Sequence, residues 1–146
     1  MFFWEQHKTI TSYYEMLART VCENYGLTQM EYDILMFIHN NPRHNTAADI
    51  VKIRKSTKSH VSTSLRELES KGLIRRSQSA SNKKHIHIVL LDQAEPVIEA
   101  GLEAQRQFAR NVLDGLGEDE KAMCMKVFTK ICNNAERCLK GNTKTE

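Results

Sequence analysis

Hydrophobic residues recur at helical spacing along the first forty positions, and two helices are expected there. The first covers residues 3–24, and Gly26 is expected to end it because glycine tolerates left-handed backbone geometry. Its apolar face consists of Ile10, Tyr13 or Tyr14, Leu17 and Val21. Thr28 and Glu31 have the spacing of a capping box for the second helix, whose apolar stripe stops at residues 40–42, Asn-Asn-Pro.

Two shorter helices with a tight turn between them are predicted from Thr46 to Gly72. Thr46 is a good N-cap for the first helix, and Ser56 or Thr57 is a good N-cap for the second. In the second helix, apolar residues spaced four and three apart define one face, namely Val61, Leu65 and Leu68. The intervening positions are mostly small, polar or basic, so this helix is expected to bury one face and expose the other.

After Gly72 the hydrophobic period changes from that of a helix to that of a strand. Residues 73–76 predict a short strand, and residues 77–82 have the small, polar composition of a turn. Residues 85–90 then alternate between polar and apolar, as a half-buried returning strand does. The pattern therefore predicts a β-hairpin whose tip carries two lysines.

Two long helices are predicted in the last third of the chain. Asp92 and Glu95 have the spacing of a capping box for the first, which is expected to extend to Leu116. The second is expected over residues 118–139, and the polar tail of residues 141–146 is expected to fray.

This order of elements predicts a mainly α protein with a small β-hairpin wing. Residues 41–91 would form a winged helix-turn-helix lobe, and the helices of residues 1–40 and 92–140 would form a dimerisation region. The apolar stripes on these outer helices exceed what one small winged domain can cover, and Phe2, Phe3 and Trp4 would be exposed in a monomer. A homodimer is therefore expected.

The distribution of charge is more informative than the net charge of +3. Residues 43–87 contain 11 Lys and Arg against 3 Asp and Glu, a net charge of +8, whereas the remainder carries −5. A basic block between acidic flanks indicates a polyanionic partner, and in a helix-turn-helix protein that partner is double-stranded DNA.

The second short helix has the features needed to enter the major groove, which admits one helix. Ser59, Ser62 and Thr63 are slim enough to bring the backbone close to base edges, while Lys58 and Arg66 add positive charge. The candidate DNA contacts are Lys55, Lys58, Ser59, His60, Ser62, Thr63, Arg66, Arg75, Arg76, Lys83 and Lys84.

Three stretches of this sequence resemble the MarR family, the multiple-antibiotic-resistance type of regulator. They are Leu27-Thr28-x-x-Glu31-Tyr32-x-Ile34-Leu35, then Thr46-x-x-Asp49-Ile50 followed by Ser59-x-Val61-Ser62, and finally Leu65-x-x-Leu68-x-x-x-Gly72-Leu73-Ile74-x-Arg76. The resemblance covers nearly the whole chain. It implies a dimer whose N- and C-terminal helices interlock, and a repressor-like transcription regulator that is relieved by a small molecule.

Two positions depart from the pattern of the family. Its wings usually carry an Asp-Arg-Arg-like tip, whereas this chain has Asn82-Lys83-Lys84. Because lysine is a mobile point charge and not a planar fork, phosphate contact is expected here in place of minor-groove insertion. Thr63 also stands where many relatives carry a larger residue, so the resemblance does not imply an operator sequence.

Aromatic and methionine side chains on the first two helices are candidates for an effector pocket. They are Tyr13, Tyr14, Met16, Met36 and His39, and the ligand expected from the resemblance is a small aromatic or phenolic molecule. The same residue types at helical spacing also suit an ordinary protein core.

Three alternatives remain open from the sequence. His85 and His87 lie on one face of a strand and form a candidate metal pair, although no Cys or carboxylate lies near them in sequence and surface residues of the wing are the better interpretation. Cys22 is a candidate sensing thiol, although no basic neighbour in sequence would lower its pKa. The winged helix could instead bind protein, which would favour an apolar or acidic recognition helix over the basic one found here.

The sequence gives no reason to expect an enzyme, a cofactor or a membrane partner. G-x-S-x-G, H-E-x-x-H and phosphate-loop patterns do not occur in it. No apolar run is long enough for a membrane span or a signal peptide, so a cytoplasmic protein is expected.

Overall fold

The computed structural model of the protein describes the backbone of residues 3–79 and 82–142, and the side chains of the same residues apart from 79 and 82–85. It is mainly α-helical with one antiparallel hairpin, as predicted. The elements are α1 (Phe3–Tyr25), α2 (Gln29–Asn40), α3 (Ala47–Arg54), α4 (Lys58–Ser70), β1 (Ile74–Ser79), β2 (Asn82–Leu90), a 3₁₀ turn (Asp92–Ala94), α5 (Glu95–Val112) and α6 (Glu118–Asn142). The chain forms two compact units, residues 1–108 and residues 109–146.

The junction between α1 and α2 forms as the sequence predicts. Gly26 has a φ of +65°, and the Leu27 N–H donates to the Cys22 carbonyl at 2.9 Å, which closes the end of α1. At the start of α2, the Glu31 N–H donates to the Thr28 hydroxyl at 3.2 Å, and the Thr28 N–H donates to the Glu31 carboxylate at 3.3 Å. The predicted capping box is therefore confirmed.

Helices α3 and α4 are separated by one tight turn. Lys55 ends α3 in the left-handed conformation, with a φ of +53°. Thr57, one of the two predicted caps, accepts a hydrogen bond from the His60 N–H at 3.2 Å and begins α4. Gly72 ends α4 with a φ of +73°, and an added Cβ there would lie 2.8 Å from the Gln93 side-chain oxygen. The positive φ favours glycine at this turn, whereas the Gln93 amide is the end of a flexible side chain and could move away from a Cβ.

The hairpin is longer than the sequence pattern indicated. β1 continues through the residues predicted as a turn, with Ser77 paired to His87 and Gln78 paired to Ile86. The predicted strand of residues 73–76 was therefore too short, because ladder hydrogen bonds come from the backbone and do not require the apolar alternation used to recognise a strand. The base of β2 is also joined to the loop after α2, where the Ile88 N–H donates to the Asn45 carbonyl at 2.8 Å.

The core of the first unit is shared by α2, α3, α4 and the hairpin. The largest side chains with less than 2% exposure include Tyr32, Ile34, Leu35, Ile50, Leu68, Ile74 and Ile88. Burying a side chain of this size contributes roughly 1.5–3 kcal/mol. Helix α5 approaches α2 closely at Gly101, where a Cβ would clash with the Met36 sulfur.

The start of α5 differs from the prediction. Asp92 lies in the 3₁₀ turn, which makes no side-chain capping bond, so the predicted Asp92/Glu95 capping box was wrong. The Ala94 N–H instead donates to the Leu91 carbonyl at 2.9 Å, so this N–H has a backbone partner in place of a side-chain cap. The helix also ends at Val112, before the predicted limit at Leu116.

The second unit contains α6, whose acidic first turn complements the positive end of the helix dipole. The helix continues past the predicted end at Leu139 to Asn142, and residues 143–146 of the predicted tail lie outside the described residues. None of its residues from Glu118 to Asn142 is buried in the chain. In the described part of the protein, no helix is long and apolar enough to cross a membrane.

Candidate nucleic-acid interface and interhelical cleft

Helix α4 has the two faces that its sequence predicts. Val61, Leu65 and Leu68 are almost completely buried and hold the helix against the core. The opposite face is exposed and consists of Lys58, Ser59, His60, Ser62, Thr63 and Arg66. The first turn contains no acidic residue, so the partial positive charge of the helix N-terminus adds to that of Lys58. The exposed face is therefore polar and basic over its whole length apart from Glu67 and Glu69.

Lys55 and Arg75, two further candidate DNA contacts, are exposed on either side of α4 in the sequence. Arg76 is less exposed because it is paired with Glu69, a residue that sequence reasoning missed. The Arg76 Nε donates to Glu69 Oε2 at 3.0 Å, and Nη2 donates to Oε1 at 3.3 Å. Hydrogen bonding to Arg76 lowers the pKa of Glu69, and the same contact raises the pKa of Arg76, so both side chains are held in their charged forms.

The side chains at the tip of the hairpin lie outside the described residues. Lys83 and Lys84 belong to β2, but their roles remain predictions. Of the candidate metal pair, only the His87 side chain is among those that the structure describes, because that of His85 also lies outside them. His87 Nδ1 lies 3.2 Å from the Asn45 side-chain oxygen, which gives it a structural partner. No group of three or more His, Cys, Asp or Glu side chains that could hold a metal occurs among the described residues.

A cleft of about 510 Å³, here called the hairpin cleft, lies between α3, α4 and the hairpin. Most of its wall is apolar and comes from Ala47, Ala48, Val51, Val61, Leu65 and Ile86. Its polar residues are Thr46, Lys58, Ser62 and Arg76. The last three are candidate DNA contacts. Arg76 of β1 therefore lines the same cleft as Lys58 and Ser62 of α4.

A second cleft of about 510 Å³, here called the interhelical cleft, lies between α1, α2, the end of α3 and α5. Of the five predicted effector residues, Tyr14 and Met36 line it. Tyr13, Met16 and His39 are not among its lining residues. Tyr13 instead stacks against Phe108, with ring centroids 5.8 Å apart, whereas Met16 and His39 are exposed.

One wall of the interhelical cleft is aromatic and amide-rich. The Tyr14 hydroxyl lies 3.3 Å from the Tyr32 hydroxyl and accepts a hydrogen bond from the Gln105 amide at 3.4 Å. Burial raises the pKa of Tyr32 far above its ordinary value, and the bond to Tyr14 adds to this effect. Tyr32 is therefore a neutral phenol, and the Phe108 ring packs edge-on against Tyr14.

The other wall contains an ion pair between α2 and α3. The Arg54 guanidinium donates to Asp33 at 2.9 Å, and the Gln29 amide donates to the other oxygen of Asp33 at 2.9 Å. Burial raises the pKa of Asp33 even though both contacts act to lower it. Sequence reasoning did not select these residues, because polar residues far apart in the chain carry no pattern that marks them as neighbours.

A second ion pair connects the end of α4 to the junction of α1 and α2. Lys71 Nζ donates to the two Glu31 oxygens at 2.9 and 2.7 Å, and to the Gly26 carbonyl at 2.9 Å. Glu31 is only 2% exposed, so this is a buried carboxylate with a cation beside it. Glu31 therefore has a second role beyond the capping box assigned from sequence.

Cys22 is buried, and its thiol donates to the Thr28 carbonyl at 3.7 Å. Burial raises the pKa of the thiol, and the nearby Asp33 and Glu31 charges raise it further. A sensing cysteine needs an accessible, stabilised thiolate, so these surroundings oppose the sensing alternative.

Comparison with known proteins connects this architecture to a family of regulators. A family model described as the MarR family matches residues 25–85, which include α2, the two short helices and part of the hairpin. Among curated proteins, the transcriptional regulator HosA of Escherichia coli is 24% identical over 127 residues, which cover 87% of this chain and 93% of that protein.

Solved structures extend the likeness to the whole fold. The transcriptional regulator PA3341 is 26% identical, with a TM-score of 0.81 over 94% of this chain and 99% of that one. A putative MarR family transcriptional regulator from Listeria monocytogenes, solved in complex with a 26mer DNA, is 18% identical, with a TM-score of 0.84 over 98% of this chain and 95% of that one. The second match is evidence of a shared fold.

Proposed function

Because a MarR family model matches residues 25–85 and the fold resembles that of the regulator PA3341, we propose that this chain is a DNA-binding transcriptional regulator of the MarR family. It acts as a homodimer that represses transcription from a pseudo-palindromic operator. In this proposal, a small aromatic or phenolic effector binds the interhelical cleft and releases the DNA. The observation that carries the DNA-binding part is α4, which buries an apolar face and exposes a polar, basic one.

The candidate DNA contacts of α4 and its neighbouring elements divide by chemistry into two proposed roles. Ser59, Ser62 and Thr63 are short donors and acceptors suited to base edges. The basic residues are suited to phosphate contacts, which position the protein on the duplex without specifying sequence. They are Lys55, Lys58, His60, Arg66, Arg75 and Arg76, together with Lys83 and Lys84 of the hairpin. The DNA complex of the Listeria relative supports this use of the fold. An exposed face of this polarity also argues against a winged helix that binds protein.

The proposal of a homodimer rests on the surface of α6. Large apolar side chains are exposed along it, namely Met123, Met125, Val127, Phe128, Ile131 and Leu139. Large apolar side chains left exposed along one helix are typical of an interface. A second copy is the proposed occupant, because a two-fold dimer also provides the two recognition helices that a pseudo-palindromic operator needs.

The geometry of the operator follows from the dimer. Two α4 helices that enter the major groove from one side of the duplex require half-sites about one helical turn apart, roughly 34–36 Å or 10–10.5 bp. Each protomer would bring the +8 segment of residues 43–87 to the same face of the DNA.

The interhelical cleft is the proposed effector site because it is lined by elements from both functional parts of the chain. Tyr14 and Phe108 offer aromatic surface, and the Gln105 amide offers a polar group for orientation. Arg54, the last residue of α3, lies in the other wall. A ligand that displaced Arg54 from Asp33 would act directly on the helix that precedes the turn into α4.

Selection of bound duplexes from a random DNA pool, repeated with phenol and benzoate derivatives present, tests this proposal. We expect a pseudo-palindromic motif, and binding that weakens steeply as salt is raised. Insertion of five base pairs between the half-sites places them on opposite faces of the duplex and should abolish tight binding. Equal affinity for the inserted operator would disprove the two-helix, one-face geometry.

A further inference from the structure

From the contacts at the end of α4, we infer that Glu69 is a positioning residue for DNA binding, which holds the Arg76 guanidinium beside the exposed face of α4. The inference rests on the proposed phosphate-binding role of Arg76. Glu69 is acidic and lies on a surface that is proposed to meet a polyanion, so charge repulsion alone would make its removal strengthen DNA binding. The inference predicts instead that its removal weakens DNA binding.

Glu69 engages Arg76 at three points. The Arg76 backbone N–H and Nε both donate to Oε2 at 3.0 Å, and Nη2 donates to Oε1 at 3.3 Å. The backbone contact fixes the carboxylate relative to β1, and the two side-chain contacts fix the plane of the guanidinium. The two side-chain contacts use the edge of the guanidinium formed by Nε and one N–H of Nη2. The other edge, formed by Nη1 and the second N–H of Nη2, makes no contact with Glu69.

The turn between the two residues is itself firmly determined. The Gly72 N–H donates to the Glu69 carbonyl at 3.0 Å, and the Leu73 N–H donates to the Leu68 carbonyl at 3.1 Å. Leu68 is fully buried and Leu73 nearly so. The backbone between Glu69 and Arg76 is therefore held by hydrogen bonds and by burial, and the ion pair connects the recognition helix to the first strand of the wing.

Arg76 lies on the same side of the protein as the proposed DNA contacts of α4. It lines the hairpin cleft together with Lys58 and Ser62. A guanidinium held at this place has already lost the rotamer freedom that an unrestrained arginine would lose on binding phosphate, so its contact costs less entropy.

Charge repulsion is the competing effect. Glu69 is exposed, and interactions between exposed charges are screened over about 8 Å at physiological salt. The pair with Arg76 also makes the local charge zero, so a phosphate approaching Arg76 meets a dipole with its positive end outward. We therefore expect the ordering of Arg76 to outweigh the repulsion from Glu69.

The test compares Glu69→Ala with Glu67→Ala in the full-length protein, using a duplex that wild type selects. Both variants remove one negative charge from exposed positions of α4, but only Glu69 contacts Arg76. We expect Glu69→Ala to weaken binding about fivefold and to flatten the salt slope by about one phosphate contact, whereas Glu67→Ala should bind at least as tightly as wild type. Glu69→Gln, which keeps the side-chain volume, covers the case in which the alanine variant fails to fold.

The Arg76→Ala background separates positioning from general damage to the fold. In that background Glu69→Ala should no longer weaken binding, because there is no guanidinium to position. Tighter binding by Glu69→Ala and Glu69→Gln in the wild-type background, to the same extent as Glu67→Ala, would overturn the inference. Failure of wild type to bind any duplex in a salt-dependent way would instead overturn the proposed function.

Discussion

The two compact units of this chain differ in how much of their apolar surface they cover themselves. In residues 1–108, α2, α4 and the hairpin each bury an apolar face in a common core. In residues 109–146, none of the residues of α6 is buried, and Phe128 is 57% exposed. One unit therefore has the packing expected of an independent fold, whereas the other has an amphipathic helix that needs a partner.

This difference predicts that the largest effects of mutation fall on assembly. Replacement of Phe128 and Ile131 together by glutamate should convert a dimer to a monomer, because it places two charges on the apolar face of α6. Affinity for a two-half-site operator should fall by about 10²-fold, since one protomer binds only one half-site. Sedimentation measures the first effect and DNA titration measures the second.

Asn133→Glu, which helical spacing places on the polar side of α6 away from Phe128 and Ile131, provides the matched control and should leave the sedimentation coefficient unchanged. A wild-type protein that sediments as a folded monomer at micromolar concentration would contradict the interpretation of α6 as an interface.

The two units also contain contrasting ion pairs. Lys71 contacts Glu31, which is buried, whereas Lys121 contacts Glu118, which is 91% exposed, at 3.1 Å. Lys71→Met should lower the free energy of unfolding by about 2 kcal/mol, because it leaves a buried carboxylate without its cation. Lys121→Met should change it by less than about 1 kcal/mol.

Urea denaturation of both variants measures these values. Equal losses for Lys71→Met and Lys121→Met would mean that Glu31 becomes solvated when its partner is removed, and that the ion pair contributes little to the stability of the contact between α4 and the α1–α2 junction.

Within the first unit, α4 and the wing are expected to contribute differently to DNA binding. Replacement of Lys83 and Lys84 by alanine should weaken binding to all duplexes alike and flatten the salt slope. Ser62→Ala or Thr63→Ala should instead change which bases are preferred, by roughly 1–3 kcal/mol at the affected position. Selection from a random pool with each variant distinguishes these outcomes. A shifted base preference in the lysine variant would mean that the wing reads sequence.

The sequence was sufficient for the parts of the fold in which burial is periodic. The spacing of Val61, Leu65 and Leu68 identified the buried face of α4, because a helix returns a side chain to the same face every three or four residues. The capping box at Thr28 was also recognisable, since both of its hydrogen bonds are local in sequence.

Features that depend on the backbone or on distant partners were not accessible in this way. β1 extends through Ser79 by backbone pairing, which leaves no apolar alternation to recognise. Glu31 and Lys71 are 40 residues apart and become neighbours only when α4 packs against α2. The same reason explains why three of the five predicted effector residues do not line the interhelical cleft, whereas Arg54 does.

The smallest expected effect concerns Asp33 in the wall of the interhelical cleft. Burial raises the pKa of this carboxyl in the folded chain, so the folded state disfavours its anion. The stability that wild type gains from this group is full below the ordinary pKa near 4 and is lost as pH rises through the raised value. Asp33→Asn does not titrate, so its stability relative to wild type should rise between about pH 4 and neutrality.

Glu69→Gln is the matched control because its expected pH dependence has the opposite sign. Hydrogen bonds from Arg76 lower the pKa of Glu69, so wild type gains stability from this group above the ordinary pKa and loses it as pH falls through the lowered value. Urea denaturation at several pH values should therefore show that the stability of Asp33→Asn rises relative to wild type, and that of Glu69→Gln falls relative to wild type, between about pH 4 and neutrality. If the stability of Asp33→Asn instead fell relative to wild type over this range, the bond to Arg54 would outweigh the burial of Asp33, and a ligand could displace Arg54 from Asp33 only at a cost in free energy.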